Sequence, residues 1–392
     1  MADLCINSQR LRDDFEMLAQ IGATGDGGVD RPTFSPAHLQ AREWFAERIL
    51  QADLELRRDG AGNHSAFLDC GPTGGRTLLL GSHLDSVPRG GRFDGALGVL
   101  AALEVLRTVQ KAGLKLPVHL EAIDFTDEEG TLYGLLGSAA LAGRLQAKDL
   151  LSPRGGRQAL LNGLERAGLS EASLLAARRD PGTLAGYLEL HIEQGPRLLQ
   201  VGAQIGVVSA IVGICSYRLA FTGRADHAGT TPMSDRLDAA QGAAAFTLAV
   251  RQRVLQDFPG CVANVGQMHL EPGAFNIVPA RAVLSLELRA GDEDTFNSLE
   301  TALLDLAHLE AERGGLGLEI EFLGKHAPSP LSDLAQNAIA TAAEALGLRH
   351  SSLPSGAGHD AQMLVEICPA GMIFVPSQGG ASHSPRECTE WQ

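Results

Sequence analysis

Up to about residue 210, short apolar runs alternate with stretches of helical periodicity, the pattern of a sheet covered by helices. TLLLG at 77–81, VHLEAIDF at 118–125 and AGYLELH at 185–191 predict strands, and GALGVLAALEVLRTVQ from Gly95 predicts the helix that follows the first of them. Each of these strands ends in a polar cluster. In open α/β sheets the ligand crevice lies beyond the carboxyl ends of the strands, so the pattern locates the chemistry before any motif is considered. From 213 to 325 the rhythm becomes strand, long helix, strand, strand, helix, strand: SYRLAFTG, a helix near 236–256, CVANVGQMHLE, AVLSLELRA, a helix near 294–313, and LGLEIEFLG. That order predicts a small ferredoxin-like α+β domain. After HAPSP, a helix over 332–346, a loop containing SGAGHDA and the strand GMIFVPS resume the first pattern. The expected fold class is α/β, with a discontinuous catalytic domain at 1–212 and 326–392 and an inserted α+β domain at 213–325.

Composition narrows the function classes. A chain of 392 residues suits two cores, and 44% hydrophobic with 20% charged residues is a globular balance. The net charge of −15, with no clustered Lys and Arg, excludes binding to a phosphate backbone. The first residues, MADLCINSQRLRDDFEML, are interrupted by charges, so neither a secretory leader nor a membrane span is expected there and the protein is expected in the cytoplasm. Six dispersed cysteines form no CxxC pair, which speaks against a disulfide framework or a thiolate zinc site.

Five places carry the ligand types that divalent metals select: His83 and Asp85 in GSHLDSVPRGGRFDG, Asp94 in the same segment, Glu128 and Glu129 in DEEG, His191 in HIEQG, and His383 in ASHSPRE. Imidazole and carboxylate without thiolate suit zinc, manganese, cobalt or nickel. A two-metal hydrolase needs a carboxylate shared between ions about 3.5–4 Å apart, and Asp94 is the candidate. His83 and His191 would complete one site, Glu129 and His383 the other. If the chain leaves its strand extended, Glu128 diverges from Glu129 and is free to act as a base. Asp85 is expected to orient His83 through its second ring nitrogen.

The segments GSHLDSVPRGGRFDGALGVLAALEVL, DFTDEEG, LELHIEQGP, GRADHAGTTPM, FNIVPAR, LPSGAGHDA and SHSPRE resemble, in that order, the carbamoylase and allantoate amidohydrolase branch of the M20 metallopeptidase-like family. The resemblance spans nearly the whole chain. It implies a di-metal aminopeptidase-like catalytic domain, two divalent ions per chain, and an inserted lid that also makes a homodimer. The implied reaction is hydrolysis of the C–N bond of a small carbamoyl or ureido acid. It places the metal ligands at His83, Asp94, Glu129, His191 and His383 and the general base at Glu128. It further implies that His227 polarises the scissile carbonyl and that Gln194, Asn276, Arg289, Gly356 and Gly358 contact substrate. The first activity implied is N-carbamoyl-L-amino-acid hydrolysis. Allantoate amidohydrolase or β-ureidopropionase chemistry comes next, then aminoacylase or dipeptidase. A metal-bearing binding protein is the non-enzymatic alternative, and a base beside the ligands argues against it.

Three departures from the family pattern stand out. Thr131-Leu132-Tyr133 follows EEG where Ser-Arg-Phe is common, and Cys215-Ser216 in GICSY replaces the arginine of allantoate-acting members. The chain stops at Gln392 where relatives continue into a closing helix, so a cost in stability is expected.

Overall fold

The structure, a computed structural model, describes residues 4–391. The first three residues and Gln392, which end the expected catalytic domain, lie outside the described residues. In chain order the strands are β1 (Glu55–Arg58), β2 (His64–Leu68), β3 (Thr77–His83), β4 (His119–Phe125), β5 (Leu184–Ile192) and β6 (Ile205–Ile211). There follow β7 (Gly213–Thr222), β8 (Val262–Asn264), β9 (Met268–Glu271), β10 (Arg281–Ala290) and β11 (Gly317–His326), then β12 (Ser329–Pro330), β13 (His350–Ser355) and β14 (Ala370–Val375). Contacts divide the chain into one unit of Met1–Ser209, Leu331–Leu353 and Ala357–Gln392 and a second of Ala210–Pro330 with Pro354–Gly356. The second unit thus begins earlier and ends later than 213–325, because the bridge of β12 to Ala210 and Ile211 carries the chain past both ends of that range.

The large mixed sheet runs β1-β2-β4-β3-β5-β14-β6-β12, with β13 beside β6. Its centre is parallel: β3 pairs with β4 and β5, and β14 with β5. Every residue of β4 is buried, as a strand covered on both faces requires. The helix Ala96–Lys111 covers one face through Val99, Leu100, Leu103 and Leu106, which join Phe15, Phe45 and Ile49 in a single core. A buried ion pair ties the strand ends together. Arg42 donates from Nε to Asp124 Oδ2 at 2.8 Å and from its two terminal nitrogens to Gly62 O and Thr126 Oγ1, while Asp124 Oδ1 accepts from Leu84 N–H. Removing one partner of such a pair costs about 3–5 kcal/mol, because the other charge is left buried alone.

The second unit is a five-stranded antiparallel sheet in the order β11-β7-β10-β8, with β9 also on β10. Two helices, Ala239–Asp257 and Glu293–Arg313, pack on it through Phe246, Val250, Phe296, Leu299 and Leu303. β10 alternates strictly, burying Ala282, Leu284, Leu286, Leu288 and Ala290 against those helices. CVANVGQMHLE, expected as one strand, is two. Pairing steps from Asn264↔Glu287 to Met268↔Leu284, so an extra residue bulges around Gly266, and Ser285 Oγ accepts from Gln267 N–H there.

Candidate metal centre and active site

His83 is the last residue of β3, the Asp127–Glu129 turn follows β4, His191 lies near the end of β5, and Ser382 and His383 follow β14. Parallel strands side by side bring these ends to one edge of the sheet. Asp94 comes from the loop between β3 and the helix Ala96–Lys111. Gly95 begins that helix at φ 64°, and a Cβ there would stand 2.5 Å from the His83 ring, so the close approach of loop to imidazole needs glycine.

Two groups of ligand atoms share Asp94. His83, Asp94 and His191 form one, all buried; Asp94, Glu129 and His383 form the other. His191 Nε2 is 3.1 Å and His83 Nε2 3.5 Å from Asp94 Oδ1, whereas His383 Nε2 is 3.6 Å from Asp94 Oδ2 and 3.4 Å from Glu129 Oε2. Donor atoms around a tetrahedral cation with bonds of about 2.1 Å are about 3.4 Å apart, so the spacing fits. The ring tautomers fit as well. His83 Nδ1 donates to Asp85 O at 3.0 Å and His191 Nδ1 to Ile192 O at 2.8 Å, which leaves a lone pair on each Nε2. His83 Nε2 is buried with no hydrogen-bond partner among the described residues, a group that calls for a cation. His383 is half exposed and adopts φ 50°.

Electrostatics point the same way. Burial, reinforced by Glu129, Asp360 and Asp94, pushes Glu128 well above the usual carboxylate range. Burial and then Asp94 push Glu129 up to about 8. His83 is opposed by burial, but Glu128, Asp94, Asp85 and Glu129 hold it well above the ordinary histidine value. Carboxylates packed in a dry pocket until they retain protons make a site that gains from taking up positive charge.

Asp85 departs from its expected role. Its carboxylate is 3.7 Å from His83 Nδ1, and its main-chain oxygen orients the ring instead. The carboxylate accepts from Glu128 N–H and Glu129 N–H, each at 3.3 Å, and from the Thr33 hydroxyl at 2.8 Å. The glutamates separate for a different reason from that expected. The chain turns at Asp127, whose φ is 59° and whose buried carboxylate accepts from the N–H groups of Leu132, Tyr133 and Gly134. Glu128 Oε2 then faces His83 at 3.5 Å while Glu129 faces His383.

Gln194 reaches the same place: its Nε2 donates to Asp94 Oδ2 at 2.8 Å and to Ser382 Oγ at 3.1 Å. Gly358 belongs to the first unit, and Gly356 to the second. In the second unit His227 and Asn276 are neighbours, with His227 bridged to Ile277 and Ala228 N–H donating to Asn276 O. Gly229 N–H donates to His227 Nδ1 at 3.0 Å, which puts the ring proton on the exposed Nε2. Arg289 lies on β10; it donates to Glu287 Oε1 through two nitrogens and to Gly356 O at 2.7 Å. Sequence reasoning missed Asp127 and Glu387, whose carboxylates accept from backbone N–H groups, Ser382, whose hydroxyl meets Gln194 and Asp94, and a buried grouping of Glu189, His191 and His359. The only signal for Glu387 was its place in SHSPRE.

A family profile described as peptidase family M20/M25/M40 matches residues 79–392. The N-carbamoyl-L-amino acid amidohydrolase of Geobacillus stearothermophilus is 37% identical over 97% of this chain and 94% of its own length. The N-carbamoyl-L-amino-acid amidohydrolase of Paenarthrobacter aurescens is 36% identical over 98% and 94%. Among solved structures, an amidase of the hydantoinase/carbamoylase family from Burkholderia multivorans superposes with a TM-score of 0.90 at 32% identity, covering 98% of this chain and 94% of that one.

Proposed function

The chain belongs to peptidase family M20/M25/M40, whose hydrolases are metal-dependent, and we propose that within it the protein is an N-carbamoyl-L-amino-acid hydrolase working with two divalent cations. One observation carries the two-metal hydrolysis: two candidate ligand groups share Asp94, and Glu128 stands beside them without belonging to either; the substrate class follows the relatives named for it. His83 and His191 would hold one ion and Glu129 and His383 the other, with zinc, manganese, cobalt or nickel suited to the donor set. Bound cations supply Lewis acidity, which lowers the pKa of water, polarises a carbonyl and offsets the mutual repulsion of the carboxylates.

The chain's own residues do the rest. Glu128 takes a proton from the attacking water and returns it to the leaving nitrogen, and the hydrogen bonds that the Glu128 and Glu129 N–H groups donate to the Asp85 carboxylate hold it in place. Water adds to the carbamoyl carbon, the C–N bond to the amino acid breaks, and the carbamate released decomposes to ammonia and carbon dioxide. His227, an N–H donor, is assigned to the scissile carbonyl. Gln194, Asn276, Gly356 and Gly358 are assigned to the ureido end, and Arg289 to the carboxylate, which a guanidinium fork binds in two-point fashion. Six unpaired cysteines support a reducing, cytoplasmic setting. A homodimer through the second unit is supported by Leu248 and Leu255, exposed two turns apart on one helix face.

The test is ammonia release from N-carbamoyl-L-amino acids, N-carbamoyl-β-alanine, allantoate and dipeptides with each metal supplied. Turnover of N-carbamoyl-L-amino acids above the others is expected. Preference for allantoate, N-carbamoyl-β-alanine or a dipeptide overturns the substrate assignment.

A further inference from the structure

Asp94 sits in an irregular loop, where the backbone N–H groups of Phe93 and Asp94 are buried and have no ladder to join. One atom satisfies both. Glu387 Oε1 accepts from Phe93 N–H at 2.8 Å and Asp94 N–H at 2.9 Å, from 294 and 293 positions further along the chain. The carboxylate is buried in this role. A second observation shows that the loop is shaped around it: a Cβ on Gly91 would stand 2.1 Å from the Glu387 carboxylate, so only glycine leaves room. The segment bearing Glu387 is anchored by Trp391, whose ring meets Phe15 edge-on at 5.2 Å and lies 6.2 Å from Phe93. The Ser382 hydroxyl, 3.0 Å from Asp94 Oδ2 and 3.5 Å from Glu387 Oε2, closes the circuit beside His383.

We propose that Glu387 is a positioning residue that fixes the Asp94 backbone so that both carboxylate oxygens face their separate ligand groups. This rests on Asp94 as the shared ligand. Glu387 belongs to neither ligand group, so its effect passes through geometry. Supporting partners of metal ligands are worth about 10–100-fold in affinity, and two hydrogen bonds to the main chain of the shared ligand belong in that range.

The test titrates Mn²⁺ into the metal-stripped full-length protein, reading free Mn²⁺ by electron paramagnetic resonance, for the parent, Glu387→Gln, Glu387→Ala and Gly91→Ala. Glu387→Ala is expected to weaken both Mn²⁺ sites by roughly 10–100-fold. Gly91→Ala, which drives the carboxylate away, should act in the same direction. Glu387→Gln keeps an oxygen that accepts both N–H groups and should stay within about threefold of the parent. At saturating Mn²⁺ the KM of Glu387→Ala should match the parent's. If Glu387→Ala does not fold, Gly91→Ala carries the test. Parental Mn²⁺ affinity in the alanine variants, or a Glu387→Gln variant as weak as Glu387→Ala, overturns the proposal. Asp94→Ala is the separate control: if it binds two Mn²⁺ as tightly as the parent, the shared-ligand reading fails, whatever Glu387 does.

Discussion

Replacing Glu128 with Gln should remove a proton acceptor and leave the ligand set in place. Glu128 is absent from both groups around Asp94, its side chain faces His83 at 3.5 Å, and its backbone N–H bond to Asp85 survives any change of side chain. The amide is isosteric and neutral, so it also lowers the repulsion that Glu128 exerts on Glu129, Asp360 and Asp94. Metal content and KM should therefore persist. Turnover should fall by about 10²–10⁴, or roughly 2.7–5.5 kcal/mol in activation free energy, and further if one residue serves both proton transfers. Glu129→Gln is the contrast. It deletes an anionic donor and leaves Asp94 and His383 alone in the second group. Affinity for that ion should drop by more than the roughly 10–100-fold that loss of a supporting group costs, and activity should return at high metal. Elemental analysis and steady-state kinetics on both variants separate the cases. A Glu128→Gln protein that loses a metal, or one that turns over normally, refutes the assignment.

Asp94→Ala should be the most damaging single ligand change, with metal content per chain falling toward zero by elemental analysis, because both groups share that residue. Arg289→Lys should raise KM for ureido acids about tenfold, near 1.4 kcal/mol, since a point charge replaces a fork; a substrate without the carboxylate should be unaffected, and an equal rise for both would remove Arg289 from carboxylate binding. His64 offers a test of pH dependence. Burial, with Arg42 and Arg58 nearby, pushes its imidazole down to about 2, whereas the unfolded chain protonates it near 6.5. The unfolded state thus binds the extra proton, so this contribution is complete above pH 6.5 and is lost as pH falls, at up to about 1.4 kcal/mol per unit. Urea unfolding at pH 7, 6 and 5 should show His64→Gln losing less stability on acidification than the parent, and parallel slopes would contradict it.

Much of the fold could be read from the chain because its central strands are mostly apolar, with LLL in β3 and GMIFV in β14, and β4 and β5 interrupted by only a few polar residues. β3, β4, β5 and β14 are parallel or covered on both faces, and burial of that kind writes itself into composition. β1 could not be read that way: ELRR is an edge strand with no residue fully buried, and nothing in four polar or half-exposed positions marks it. At the site, side chains that face the centre were legible because each follows a strand and carries metal-binding chemistry. Groups that act through the backbone were not. The spacing of two predicts Asp85 as a partner for His83, yet its carboxylate accepts from the Glu128 and Glu129 amides, a contact no local pattern encodes. Asp127 is one more acid in DEEG, and its bonds to the N–H groups of Leu132, Tyr133 and Gly134 depend on a left-handed turn that the sequence does not announce.

The most direct test of a metal-dependent hydrolase built around Asp94 is ammonia release from an N-carbamoyl-L-amino acid by metal-stripped protein as Mn²⁺ is titrated in. Activity should be absent at the start and should saturate at two equivalents per chain, the number that two ligand groups sharing one carboxylate require. Full turnover in protein shown by elemental analysis to be free of metal would contradict the account.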